Sequence, residues 1–368
     1  MRAAQAVAAA LSSVSSGIEV RVHDLLDLGA PLYRYFYRSA YLALARRLPR
    51  FLDWLYRLSD SMPFALAGVL PRLDRLAFGS FLRLVQSDPP DLVLCTHFLP
   101  LEILAPLRLS GALSAPLLGV VTDLYPHGIW LWPGVDRYFT ADVDGSERIG
   151  ARVPDAAISP FGIPVHPAFS GAGERKRLFG KLDLPERRTV LLLSGGEGIE
   201  DLPALLGSFS GFRGELNLVA IAGKNASLRE ACQNFASRHA SSRLLVRALG
   251  FVENMADWMA VSDIVVTKPG GLTLFEALAL GRPLLLLPAR GGQETINRRW
   301  ALSLGVAEGC SAPCQAGSTV SILFSNPDRL RRMEENASRC GRPEAARTIA
   351  REIVQSLLSA NTPKRRLT

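Results

Sequence analysis

The sequence predicts an α/β protein of two doubly wound domains, each a parallel sheet with helices on both faces. Three observations predict it. Short apolar runs recur in the second half, at Thr189–Leu193, Leu216–Ala222, Leu244–Ala248, Asp263–Thr267 and Pro283–Leu287. Helix-length stretches separate them, and the runs are apolar on both faces, as strands of a covered parallel sheet must be. Glycine-bearing turns follow several of the runs: Ser194-Gly195-Gly196-Glu197-Gly198, Gly223-Lys224-Asn225 and Pro269-Gly270-Gly271. Ligands of such sheets sit beyond the carboxyl ends of the strands, so these turns point at one crevice.

The first half repeats the plan more weakly. Ile18–Val22, Asp91–Cys95, Pro116–Val121 and Arg137–Phe139 read as strands, and Pro31–Leu58 and Asp74–Gln86 as largely helical. Met1 to Leu11 reads as an amphipathic helix with Ala3, Ala6, Val7, Ala10 and Leu11 on one face. Two prolines and a glycine in Phe161-Gly162-Ile163-Pro164-Val165-His166-Pro167 rule out a continuing helix and separate the halves. The expected organisation is an N-terminal domain over residues 1–163, a second domain over 164–345, and a C-terminal helix with a basic tail over 346–368.

Composition bounds the function. With 48% hydrophobic and 21% charged residues, the 368-residue chain is ordinary globular material, at a mean hydropathy of +0.16. The uncharged, apolar run Leu109 to Thr122 is too short to span a bilayer, and Met1 to Ser16 lacks the apolar core of a signal peptide. The net charge of +8 suits phosphate-bearing substrates, anionic lipid or nucleic acid without choosing among them. Five scattered cysteines without a CxxC give neither a disulfide framework nor a zinc site, which fits a reducing cytoplasm.

The most informative stretch is Lys268-Pro269-Gly270-Gly271 and the helix it opens, Leu272–Leu280. Gly270 and Gly271 allow close backbone approach, and the helix start offers free N–H groups and the positive end of its dipole. Thr273 adds a hydroxyl donor for a phosphate oxygen. Glu276, one turn on, can accept both hydroxyls of a ribose. With the diphosphate charge met by amides and helix dipole, no metal or other cofactor is called for. A second motif, Gly291-Gly292-Gln293-Glu294 with Asn297, follows the apolar run Pro283–Leu287 and presents amide and carboxylate groups suited to sugar hydroxyls. Either motif could also be plain helix capping. Two look-alikes are set aside: Asp142-Val143-Asp144 reads as a solvated turn, and the glycine spacing of Ser194–Gly198 is wrong for a dinucleotide fingerprint.

Both motifs, together with Gly250-Phe251-Val252-Glu253-Asn254-Met255 and Ser262–Thr273, resemble the donor half of GT-B glycosyltransferases. More narrowly, the chain resembles the monogalactosyl- and glucosyl-diacylglycerol synthases, which are related to the GlcNAc transferase of the lipid-linked peptidoglycan precursor. In the first half, Val121-Thr122-Asp123 with His127, Trp130 and Val135-Asp136-Arg137-Tyr138-Phe139 is similar to the acceptor-domain signature, and Phe161–Val165 to the motif leading into the domain hinge. The resemblance implies a GT-B fold of two Rossmann-like domains facing a cleft, residues 1–163 taking the lipid acceptor and 164–345 the UDP-sugar. It places Glu276 at the ribose, Gly270, Gly271, Leu272 and Thr273 at the diphosphate, and Gln293, Glu294 and Asn297 at sugar or phosphates. Phe251 and Val252 fall at uracil, with Gly196 and Gly223 lining the crevice. Gly291 stands where the family usually has proline. An inverting transfer needs a base for the acceptor hydroxyl, and Asp123 and His127, both following an apolar strand, are the candidates.

The implied reaction moves glucose or galactose from UDP-glucose or UDP-galactose to diacylglycerol on the cytoplasmic face of the cell membrane. The alternatives are a GlcNAc transferase acting on a polyprenyl-linked acceptor and a catalytically silent UDP- or lipid-binding relative. Tyr33 to Arg57 holds five of the seven tyrosines, and Pro31 to Asp60 carries a net charge of +4. Aromatic rings with arginines favour the interface of an anionic bilayer, although an amphipathic helix pair would have similar composition. No nucleic-acid module accompanies the basic charge. In the resembled family a strand and a glycine-rich turn ending in histidine precede the alanine-rich first helix. Here Met1-Arg2-Ala3-Ala4 already lies in that helix, so two exposed strand edges are expected in the N-terminal sheet.

Overall fold

Two parallel sheets carry the fold in a computed structural model that describes residues 1–30, 58–60, 77–171, 173–193, 199, 201–289 and 291–361. The chain divides into one unit formed by Met1–Pro167 with Glu344–Thr368, and a second formed by Ala168–Pro343. The two sheets belong to separate units.

The first unit contains α1 (Arg2–Val14), α2 (Gly79–Ser87), β1 (Val93–Cys95), α3 (Phe98–Leu109), β2 (Leu117–Val120), β3 (Arg137–Phe139), α4 (Val143–Gly150) and β4 (Ala157–Ser159). Its strands pair in parallel in the order β1-β2-β3-β4. Successive strand residues face opposite ways, and the burial follows that alternation. Leu117 and Tyr138 join Leu101, Leu104 and Trp130 on one face. Leu118, Val120 and Phe139 pack on the other against Ala6, Val7 and Ala10 of α1. The C-terminal helix Ala345–Asn361 completes this second face with Ala346, Ile349, Ala350 and Ile353. An Arg137–Glu352 ion pair of 2.9 Å ties the helix to β3.

The second unit contains α5 (Arg175–Lys181), β5 (Thr189–Leu193), α6 (Leu202–Gly207), β6 (Leu216–Ile221), α7 (Ala226–His239), β7 (Leu244–Leu249), α8 (Met255–Val261), β8 (Ile264–Thr267), α9 (Gly271–Ala279), β9 (Leu284–Leu286), α10 (Gly292–Ser303), β10 (Ala307–Gly309), α11 (Ala316–Phe324) and α12 (Pro327–Cys340). Its six strands lie in the order β10-β9-β8-β5-β6-β7. From β5 the chain winds outward through β6 and β7, then returns to place β8 on the other side of β5. That reversal is the topological switch point, where ligands of doubly wound sheets bind. At the opposite end Asp263 staples β5 to β8. Its buried carboxylate accepts the Thr189 amide at 2.7 Å and pairs with Arg175 at 2.8 Å and Arg188 at 2.9 Å.

One sequence expectation changes. Ile18–Val22 is not a strand: no described strand pairs with it, and an extended segment without a ladder partner leaves its backbone to water. The short edge strands β4 and β10 are not predicted, because Ala157-Ile158-Ser159 and Ala307-Glu308-Gly309 lack the apolar, β-branched composition that marks a strand. The apolar, arginine-rich stretch Tyr33–Arg57 lies outside the described residues. No described helix is long and apolar enough to cross a membrane.

Candidate functional site

In the second unit the turns predicted to hold a nucleotide gather at the carboxyl edge of the sheet. Lys268-Pro269-Gly270 leaves β8 beside the switch point and opens α9, whose N-cap is Gly270. As a glycine, Gly270 offers α9 no side-chain cap. An acceptor from a ligand can meet the first amides of this helix, with the helix dipole behind them. Gly270, Gly271, Leu272 and Thr273 are half-buried, and a Cβ on Gly270 would meet open space, so the turn is accessible from one side. Glu276 lies one turn further on, at 4% exposure.

The turn is held from behind. Asn297 of α10 is buried and donates through Nδ2 to the Pro269 carbonyl at 3.0 Å, so it braces the turn; its Oδ1 has no hydrogen-bond partner among the described residues. Gly291 and Gly292, which start α10, have φ of 116° and 53°. Both values favour glycine, and proline, whose ring holds φ near about −65°, cannot replace Gly291 in this backbone. Gln293 and Glu294 follow in the half-buried first turn of α10.

On the other side of β5, Gly223 turns after β6 with φ of 59°. Asn225 then caps α7 by accepting the Leu228 amide at 3.0 Å. β7 lies next to β6, and the turn after it presents Phe251 at 69% exposure, with Val252 half-buried beside it. An aromatic ring so exposed at a strand's carboxyl end is suited to meet a flat base. Gly196 falls outside the described residues.

The first unit brings together different chemistry. Asp123 follows β2 and accepts the Trp130 indole N–H at 2.8 Å. Burial pushes its carboxyl up to about 6, against the lowering effect of that hydrogen bond. A carboxyl poised there accepts a proton readily near neutral pH. His127 is placed differently. It is fully buried, its Nδ1 accepts the Ile129 amide at 3.3 Å, and its Nε2 lies 3.8 Å from Oδ1 of Asp60. With Nδ1 occupied as an acceptor, a neutral His127 carries its proton on Nε2, towards Asp60. Asp60 also accepts Tyr125 Oη at 2.9 Å, the Gly128 amide at 2.8 Å and Arg148 Nη2 at 2.5 Å. Burial would raise its carboxyl, but the Gly128 amide and the Tyr125 hydroxyl, with His127 and Arg148, hold it below the usual range. Sequence reasoning missed Asp60 and Arg148, whose only signal would have been a pairing across 88 residues. Asp142 of the DxD look-alike caps α4 by accepting the Gly145 amide at 2.9 Å.

Residues 1–165 match the sequence profile of monogalactosyldiacylglycerol (MGDG) synthase, and residues 189–355 that of the glycosyltransferase family 28 C-terminal domain. The chain thus carries an MGDG synthase domain followed by a glycosyltransferase family 28 C-terminal domain. Its relatives include the processive diacylglycerol beta-glucosyltransferase of Bacillus pumilus, 28% identical over 74% of this chain and 70% of that protein. The protein of the same name from Staphylococcus carnosus is 30% identical over 69% of this chain and 64% of that protein. Among solved structures, Acinetobacter baumannii MurG superposes with a TM-score of 0.56 at 16% identity, covering 77% of this chain and 79% of MurG. The S. aureus MnaA–UDP structure superposes with a TM-score of 0.58 at 15% identity, covering 79% and 82%. At such identities these two structures speak for the fold alone. The MGDG synthase match falls within the first unit, and the family 28 match covers most of the second and runs on into the C-terminal helix.

Proposed function

We propose that this chain is an inverting glycosyltransferase that moves a hexose, glucose or galactose, from its UDP-sugar to diacylglycerol. The uncapped N-terminus of α9 at the switch point, with Glu276 one turn on, carries this reading. The diphosphate lies against the amides of Gly271, Leu272 and Thr273, the ribose hydroxyls against Glu276, and uracil against Phe251 and Val252. Gln293 and Glu294 take sugar hydroxyls. Asn297 acts from behind, through the Pro269 carbonyl.

In the transfer, Asp123 removes the proton of the acceptor hydroxyl as that oxygen attacks the anomeric carbon from the face opposite UDP. The bond from the anomeric carbon to the β-phosphate oxygen breaks, and its electron pair leaves with UDP. The α9 dipole and amides stabilise the charge that grows on the diphosphate, where fixed donors act most strongly. His127 holds the loop that bears Asp123. The lipid is met at an anionic membrane surface on the cytoplasmic side, which the arginines and aromatic residues between Tyr33 and Arg57 favour.

Incubating the protein with labelled UDP-glucose, UDP-galactose or UDP-GlcNAc and vesicles containing phosphatidylglycerol, diacylglycerol and polyprenyl phosphate tests this reading. The expected product is a labelled hexosyl-diacylglycerol released with UDP. Label on the polyprenyl lipid, or UDP binding without transfer, would count against it.

A further inference from the structure

The Asp60 carboxylate gathers three donors from two places on the first unit. Tyr125 and the Gly128 amide come from the loop after β2, and Arg148 comes from α4. Arg148 lies 4.2 Å above the Tyr125 ring and donates from Nε to the Pro126 carbonyl at 2.6 Å. Arg152 donates to the Asp60 carbonyl at 3.1 Å. A half-buried carboxylate with this many charge-assisted bonds fixes its partners far more tightly than a surface ion pair does.

What Asp60 fixes leads to Asp123. The Gly128 amide opens the 3-10 turn Gly128–Trp130, and His127, facing Asp60, caps that turn through Nδ1. The turn ends at Trp130, whose indole N–H is bonded to Asp123. The Trp130 ring is buried in the core, so its orientation follows the turn that carries it. We infer that Asp60 is a positioning residue for the transfer reaction, aiming the Asp123 carboxylate at the acceptor hydroxyl through the Gly128–Trp130 turn and the Trp130 indole. This rests on the diacylglycerol transferase reading above. It adds a residue far from Asp123 in sequence, tied to it through the backbone of the Gly128–Trp130 turn and the hydrogen bonds at its two ends.

The test compares Asp60→Asn, Tyr125→Phe, Trp130→Phe and the Asp60→Asn/Trp130→Phe double variant with the full-length wild type, using vesicles containing diacylglycerol. Asp60→Asn is expected to lower kcat for lipid glycosylation about 30-fold, with the KM for UDP-sugar and the affinity for UDP within about twofold of wild type. Tyr125→Phe removes one donor without removing charge, and is expected to lower kcat about threefold. If Asp60 acts through Trp130, the double variant is no slower than Trp130→Phe alone. Unchanged turnover in Asp60→Asn overturns the inference. So do multiplicative losses in the double variant, or a parallel loss of UDP binding and thermal stability, which would mark a general structural role. A wild type that transfers no sugar to diacylglycerol fails the functional reading itself and removes this inference with it; a wild type that transfers, beside an Asp60→Asn that matches it, fails the inference alone.

Discussion

The two units build their sites from different materials. In the second, backbone predominates: glycine turns, an uncapped helix N-terminus and a switch point, with Asn297 bracing the turn from behind. In the first, side chains predominate: Asp123 on Trp130, and Asp60 collecting Tyr125, Gly128 and Arg148. A diphosphate of fixed shape and charge suits rigid amides, which need no reorganisation as charge develops. Proton removal from a lipid hydroxyl needs a carboxyl whose basicity is tuned by its surroundings, and only packed side chains supply that.

The largest expected effect breaks the comparison on the acceptor side. Asp123→Asn should lower kcat about 1,000-fold, the range of a lost general base, while UDP affinity measured by calorimetry stays at the wild-type value. Glu276→Ala breaks it on the donor side. Losing a charged acceptor to the ribose should weaken UDP binding about 20-fold and leave the first unit's thermal transition in place.

A pH series sharpens the contrast. As the proposed base Asp123 would act ionised, and its carboxyl is raised to about 6, so the rate should fall about tenfold per unit below pH 6 and level off above it, while UDP binding shows no matching limb. The sign for stability is opposite. The folded chain holds this proton more tightly than the unfolded chain, so Asp123's contribution is present at low pH and is lost as pH rises through about 6. Thermal melts of wild type and Asp123→Asn at pH 5 and pH 7 would separate the two effects. The smallest expected change is Phe251→Ala, which removes an exposed ring from the base position and should weaken UDP binding about fivefold, read by the same calorimetry.

Legibility in the sequence followed the range of the interactions. The stretch from Lys268 to Glu276 could be read directly because a strand, a glycine turn and a helix start are consecutive and local rules govern each. Gly291 could be marked as unusual, but its φ of 116° had to be seen before the missing proline made sense. Ile18–Val22 has strand composition and forms no strand, since pairing is decided by a neighbour and not by the segment. Asp123 and His127 looked equivalent in sequence, four residues apart. Packing separated them, leaving Asp123 half-buried beside one indole and closing His127 inside the Asp60 network.

The sequence by itself determined the α/β class, the division into two sheets and the strand–glycine turn–helix of Lys268–Glu276, because all three follow from local pattern and chain connectivity. Only the tertiary structure decided the strand order that puts this turn at the switch point, the attachment of the C-terminal helix to the first unit, and the Asp60 network. Those depend on contacts between residues far apart in the chain, and the same local sequence allows many such pairings until the cores at Tyr138 and Leu192 exclude all but one.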